Sequence, residues 1–185
     1  MLFTIGHSNH SLEHFFKLLE QHGVEVLADV RSQPYSRYLP HFGLRQLRIA
    51  IKGKGVKYVW LAALGGRPKE ARYYDAEGHA DYAAMSRADY FLEGLGRLKR
   101  GMEQYRVAIM CSEEDPDECH RRLLIARALC EEDPAYAREI AHIRKDGKLE
   151  GEEGRGSREQ AKHVQAALWD SSRPEERWRS PKPIQ

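Results

Sequence analysis

The stretch "LFTIGHSNHSLEHFFKLLEQHGVEVLADV" (Leu2–Val30) reads as strand, helix, strand. Leu2–Ile5 is a short apolar run closed by Gly6, and Leu12, Phe15, Phe16 and Leu19 then recur at helical spacing. Ser11 can cap the helix at its start, and Gly23 suits the left-handed position past its end. Val24–Val30 is rich in β-branched residues, which favours a second strand. Two strands joined through a helix lie parallel, because a tight hairpin cannot make that connection.

The same alternation continues outward. "RSQPYSRYLPHFG" (Arg31–Gly43) carries two prolines and no apolar period, so it reads as a long loop at the carboxyl end of the second strand. "LRQLRIAIKGKG" resumes helical spacing, and "VKYVWLAAL" reads as a third strand ended by Gly65 and Gly66. One or two helical pieces follow between about Tyr82 and Gln104, and "RVAIMC" is a buried-type fourth strand. A helix is predicted from about Pro116 or Asp117 to Cys130, and "YAREIAHI" as a last, edge strand. This pattern predicts an α/β fold, a three-layer sandwich with a mostly parallel sheet of four or five strands. The folded domain is expected over 1–149. A charged, partly disordered tail is expected over 150–185, with "SREQAKHVQAALW" the one stretch there able to form a helix.

The chain has 185 residues and a formal net charge of +2, but the charge is unevenly spread. Val30 to Lys69 contains no Asp or Glu and nine basic residues; with those set aside, 21 basic residues face 28 acidic ones. The basic segment interleaves Tyr35, Tyr38, Phe42, Tyr58 and Trp60 with its cations, a pairing that suits phosphates and exposed bases. A solvated basic face is the plain alternative. Three cysteines, an odd number in a chain too large to need disulfides, read as reduced thiols. The start shows no secretory pattern and no apolar run spans a bilayer, so the expected location is the cytoplasm, away from membranes. The oligomeric state is left open.

Parallel sheets bind ligands outside the carboxyl ends of their strands. Gly6, His7 and Ser8, then Asp29, Arg31 and Ser32, then Gly65 and Gly66, then Cys111, Ser112 and Glu113 emerge there. Several quoted stretches resemble a known bacterial and archaeal family, domain of unknown function family 488. The carriers are "TIGHS" (Thr4–Ser8), "DVRSQPYSR" (Asp29–Arg37), Leu64–Gly66, "CSEEDPDECHR" (Cys111–Arg121) and "HIRKDG" (His142–Gly147). The resemblance covers Met1 to about Leu149 and implies the fold and the crevice, with no stated chemistry.

The residues themselves supply candidates. Asp29 and Glu113 are candidate general bases with His7 or His120 as partner, while Ser8, Arg31, Ser36, Arg37 and Arg121 are candidates for holding a phosphate. The rival readings are an Asp29–Arg31 pair that fixes the loop, a local cap for His7, and surface pairing of Arg121 and Arg122 with neighbouring acids. Cys111 sits where thiol enzymes keep a nucleophile, but Asp117 stands where a phosphatase-type cradle needs Arg, so a core cysteine is favoured. Cys111, Cys119 and His120 have poor zinc spacing, because structural zinc favours runs such as C-x2-C while these are separated by seven residues and then by none, and adjacent helical residues point about 100° apart. No metal site is therefore expected from them, although carboxylate-bound Mg2+ is left open as a cofactor. The favoured expectation is binding, with enzymatic processing as a further step, of a phosphate-bearing ligand, either nucleotide or nucleic acid. The alternatives are a non-catalytic nucleic-acid-binding module and a thiol enzyme using Cys111.

Overall fold

A computed structural model describes residues 1–153 and 178–184. Strands β1 (Leu2–Gly6), β2 (Val26–Asp29), β3 (Lys57–Trp60), β4 (Val107–Cys111), β5 (Ile140–Ile143) and β6 (Leu149–Gly151) form one sheet in the order β3-β2-β4-β1-β5-β6. The first five are parallel to their neighbours, and β6 runs antiparallel to β5. The mostly parallel α/β sandwich is as expected, with one strand more. β5 is not at the edge, because the chain turns back at Gly147 (φ 82°) and lays β6 outside it. The "YARE" half of the expected last strand is a short helix, Tyr136–Glu139.

Alternation along the strands divides the core. Phe3, Ile5, Leu27, Ala108 and Met110 point to one face and meet helix α1 (Leu12–Gln21) and α2 (Leu44–Ala50) through Phe15, Leu19 and Leu47. Leu2, Val26, Ala28, Val107 and Ile109 point the other way. There they meet Phe91 and Leu95 of the long helix Asp89–Gln104, and Leu124 and Leu129 of the helix after β4. Ser11 caps α1 by accepting from the His14 amide, and Gly23 takes φ 60°, as its sequence position suggested.

Connections leaving β1 and β2 cover one face, and those around β4 cover the other. β4 lies between β2 and β1, so its carboxyl end opens into the gap where the chain's crossovers diverge. Such switch points are where open α/β sheets take ligands.

The end of the chain returns to this edge. Trp178 donates its indole N–H to the Leu123 carbonyl, Ser180 pairs with Ala80, and Arg179 bridges Asp75 (2.7 Å) and Glu77 (3.0 Å). The helix expected within "SREQAKHVQAALW" lies outside the described residues. Among the described residues, no helix is long and apolar enough to cross a membrane.

Candidate functional site

A crevice of about 310 Å3 opens beyond the carboxyl ends of β2, β3 and β4. Its floor carries Cys111, Glu113, Cys119 and His120, and its mouth carries Tyr35, Arg67 and Lys182. The end of β4 and the segment after it supply this floor. β4 ends at Cys111 and delivers Glu113 two residues later. A single helical turn at Pro116–Glu118 follows, capped by Asp115, and Cys119 is then extended (φ −129°, ψ 140°). The helix begins only at Arg121, first as a wide π-helical turn over Arg121–Ala126 and then as an α-helix over Arg127–Glu132.

That late start corrects the expected helix from Pro116 or Asp117, and with it the argument from helical spacing. Because Cys119 is extended, its side chain and that of His120 converge instead of pointing apart. Cys119 Sγ lies 3.8 Å and Cys111 Sγ 3.6 Å from His120 Nδ1. Both thiols donate to one Glu113 carboxylate oxygen, at 2.9 Å from Cys111 and 3.2 Å from Cys119. His120 Nε2 stands 3.0 Å from the Val30 carbonyl, and only an N–H can satisfy that oxygen, so Nδ1 is left facing the sulfurs.

The two thiols are electrostatically unlike. Hydrogen bonding to Cys119, reinforced by burial and by Glu113, pushes the Cys111 thiol well up. Burial also opposes ionisation of Cys119, but the hydrogen bond from Cys111 and the charges of Arg121 and His120 outweigh it and hold this thiol well below the usual range. If a thiolate forms here it belongs to Cys119.

The other sequence candidates are distributed less simply. Asp29 is fully buried and saturated: Arg31 donates to it from its backbone N–H and from Nε and Nη2, and Tyr58 adds its hydroxyl at 2.7 Å. Arg31 also reaches the Phe42 carbonyl from Nη2 and His7 Nε2 from Nη1. His7 stacks on Phe42 with ring centroids 4.4 Å apart and donates from Nδ1 to the Ser8 carbonyl; burial lowers its imidazole to about 4. These three residues form a closed network that fixes the Arg31–Gly43 loop.

Arg121 is 1% exposed and donates to the Glu113 and Glu114 carbonyls and to the Thr4 hydroxyl. It holds the Glu113 loop from beneath, while Arg122 takes up Asp117 and Glu152. Ser36 caps the Leu39 amide, and Ser8 occupies a left-handed conformation (φ 41°). Arg37 is exposed on the loop and does not line the crevice. Of the candidate residues, the structure thus brings Glu113 and His120 together on the floor, with Arg31 at its margin. Cys119, Arg67 and Lys182 were missed. The adjacency "CH" was visible, but its meaning depended on a backbone conformation.

Two glycines allow this packing. A Cβ on Gly66 would stand 2.7 Å from the His120 Cβ and Cγ, and one on Gly6 would strike the Glu113 carbonyl at 1.8 Å. Both belong to sequence motifs already noted, and close approach is the reason for glycine there.

The model of the family described as Domain of unknown function DUF488 matches residues 11–128, which takes in the Asp29 loop, Gly65–Gly66 and the Cys111–Arg121 segment. No curated protein and no solved structure matches the chain.

Proposed function

We propose a function from the crevice itself, because the chain belongs to the family Domain of unknown function DUF488, whose description states no activity. The crevice binds a phosphate-bearing ligand with a base or other flat group, most simply a nucleotide. The carrying observation is the make-up of the mouth. Tyr35 is 75% exposed at the crevice, and Arg67 and Lys182 offer cations on its wall. Stacking on such a ring is worth about 1–3 kcal/mol per base. The thiol, imidazole and carboxylate groups of the floor then face whatever the mouth holds.

Calorimetric titration with AMP, ADP and inorganic phosphate tests this. A nucleotide should bind more tightly than phosphate, and Tyr35→Ala and Arg67→Ala should each weaken it by roughly tenfold, in line with one lost stacking or charged contact. Binding indifferent to both substitutions, or none at all, would overturn the reading.

A second reading has its own observation. Tyr38 is 89% exposed next to the exposed Arg37 in the chain, Trp60 is 43% exposed, and none of the three lines the crevice. This outer face suits a single-stranded nucleic acid. Binding of an oligonucleotide that falls with salt and with Arg37→Ala, and stays unchanged in Arg67→Ala, would support it over the crevice reading.

A further inference from the structure

The floor of the crevice holds more soft, metal-binding chemistry than ligand contact requires. Cys111 Sγ, Cys119 Sγ and His120 Nδ1 all lie within 4.8 Å of one another, and all three residues are buried. Glu113 Oε2 stands against both sulfurs. We infer that Cys111, Cys119 and His120 bind a zinc ion, with the fourth position left to water or a ligand from the crevice. The inference goes beyond the ligand reading and stands on this cluster alone.

The distances suit the ion. A tetrahedral zinc with Zn–S near 2.3 Å and Zn–N near 2.0 Å sets sulfur and nitrogen roughly 3.5 Å apart. The two S···N separations are 3.6 and 3.8 Å. The carboxylate oxygen is closer to the sulfurs, at 2.9 and 3.2 Å, because thiol hydrogen bonds now hold it there. On metal binding the two sulfurs lose their protons, and these hydrogen bonds to Glu113 are released. Each thiol that carries a proton releases it to solvent as its metal–sulfur bond forms.

The surroundings are those of a metal site. His120 Nε2 donates to the Val30 carbonyl, the outer hydrogen bond that fixes the orientation of a ligating imidazole. Arg121, buried below, clamps the Glu113 and Glu114 carbonyls and offsets the negative charge of two thiolates and a carboxylate. Two sulfurs and an imidazole select zinc over the hard ions Mg2+ and Ca2+, which take oxygen ligands. Three protein ligands leave a fourth position for water facing the crevice, as in catalytic zinc sites.

The test uses the full chain, purified in reductant without chelator. Elemental analysis should find about one zinc per chain. Replacement by Co2+ should give intense near-ultraviolet sulfur-to-metal absorption with tetrahedral visible bands. Cys119→Ser should abolish that absorption and Cys130→Ser should retain it. A wild-type chain that takes up less than roughly a tenth of an equivalent on reconstitution, or binds Co2+ without the sulfur band, overturns the inference, as does retention of the full band in Cys119→Ser.

If Cys119→Ser does not fold, differential alkylation of the wild type decides. Zinc should slow modification of Cys111 and Cys119 at least tenfold and leave Cys130 unchanged, whereas equal rates with and without zinc overturn the site. Metal content is read without nucleotide, and nucleotide binding can be titrated on the chelated chain, so either reading can fail alone.

Discussion

The Nε2 of His120 lies 3.0 Å from the carbonyl oxygen of Val30. One hydrogen bond therefore ties the entrance of the helix after β4 to the end of β2, and turns the other ring nitrogen toward Cys111 and Cys119. The ring is held on its far side by Gly66, where no Cβ intrudes.

Gly66→Ala should displace this ring. Its backbone φ is compatible with alanine, so the penalty is steric: about 1–3 kcal/mol, as for overpacking elsewhere. Urea denaturation should show a lowered midpoint with unchanged slope, and the Co2+ sulfur band should weaken along with it. An unchanged midpoint would mean that the His120 ring has room to move.

Asp29→Asn tests whether the buried carboxylate is structural. Arg31 would remain 4% exposed with its counter-charge removed, and breaking a buried pair of this kind costs about 3–5 kcal/mol. A large loss of stability is expected, measured by thermal and urea unfolding. A variant as stable as the wild type, yet unable to bind nucleotide, would return Asp29 to the list of ligand-contacting groups.

Acid stability should depend on Glu152. Its carboxylate accepts from His142 Nε2 at 2.7 Å and from Arg122, while Thr4 donates to the other nitrogen of His142 and Asp117 shares Arg122. Cys130 lies in the same electrostatic neighbourhood, its thiol raised to about 11, chiefly by burial. Burial opposes ionisation of Glu152, but His142 and Arg122 outweigh it and hold its carboxyl below the ordinary value of 4.5. A depressed folded value means that the stabilisation is complete above pH 4.5 and is lost as the pH falls through the folded value. Glu152→Gln should therefore cost stability at pH 7 and lose less of it on acidification below pH 4.5 than the wild type. Parallel acid titrations of unfolding, with no difference in slope, would contradict this.

Truncation after residue 153 should open the crevice. It removes Ser180 and Lys182 from the wall, together with the Trp178 ring that covers Arg127 at 4.4 Å. The two core clusters are built almost wholly from residues before 153, so the domain should still fold, with its melting temperature lowered by a few degrees, roughly the effect of 1 kcal/mol. Nucleotide affinity should fall in the same variant. Unchanged affinity would remove the C-terminal segment from the site.

The sheet was legible in the sequence because local signals agreed with one another. Ser11 and Gly23 mark both ends of a helix whose apolar residues share one face, and β-branched runs flank it. Chain order and the handedness of crossovers then bring the strand ends to one edge. β6 was not legible: Leu149–Gly151 is three residues with two exposed, and only pairing with β5 makes it a strand.

The candidate site divides the same way. Sequence alone placed Glu113, His120 and Arg31 at the carboxyl edge, since position in a parallel sheet follows from strand order. It could not tell which cations stay free, because Arg31 and Arg121 lose their donors to Asp29 and to backbone carbonyls of loops distant in sequence. Nor could it place Cys119 beside Cys111. That meeting depends on one extended residue between a Pro116 turn and a helix, a conformation held by Arg121, Val30 and Gly66, which come together only when the sheet has formed.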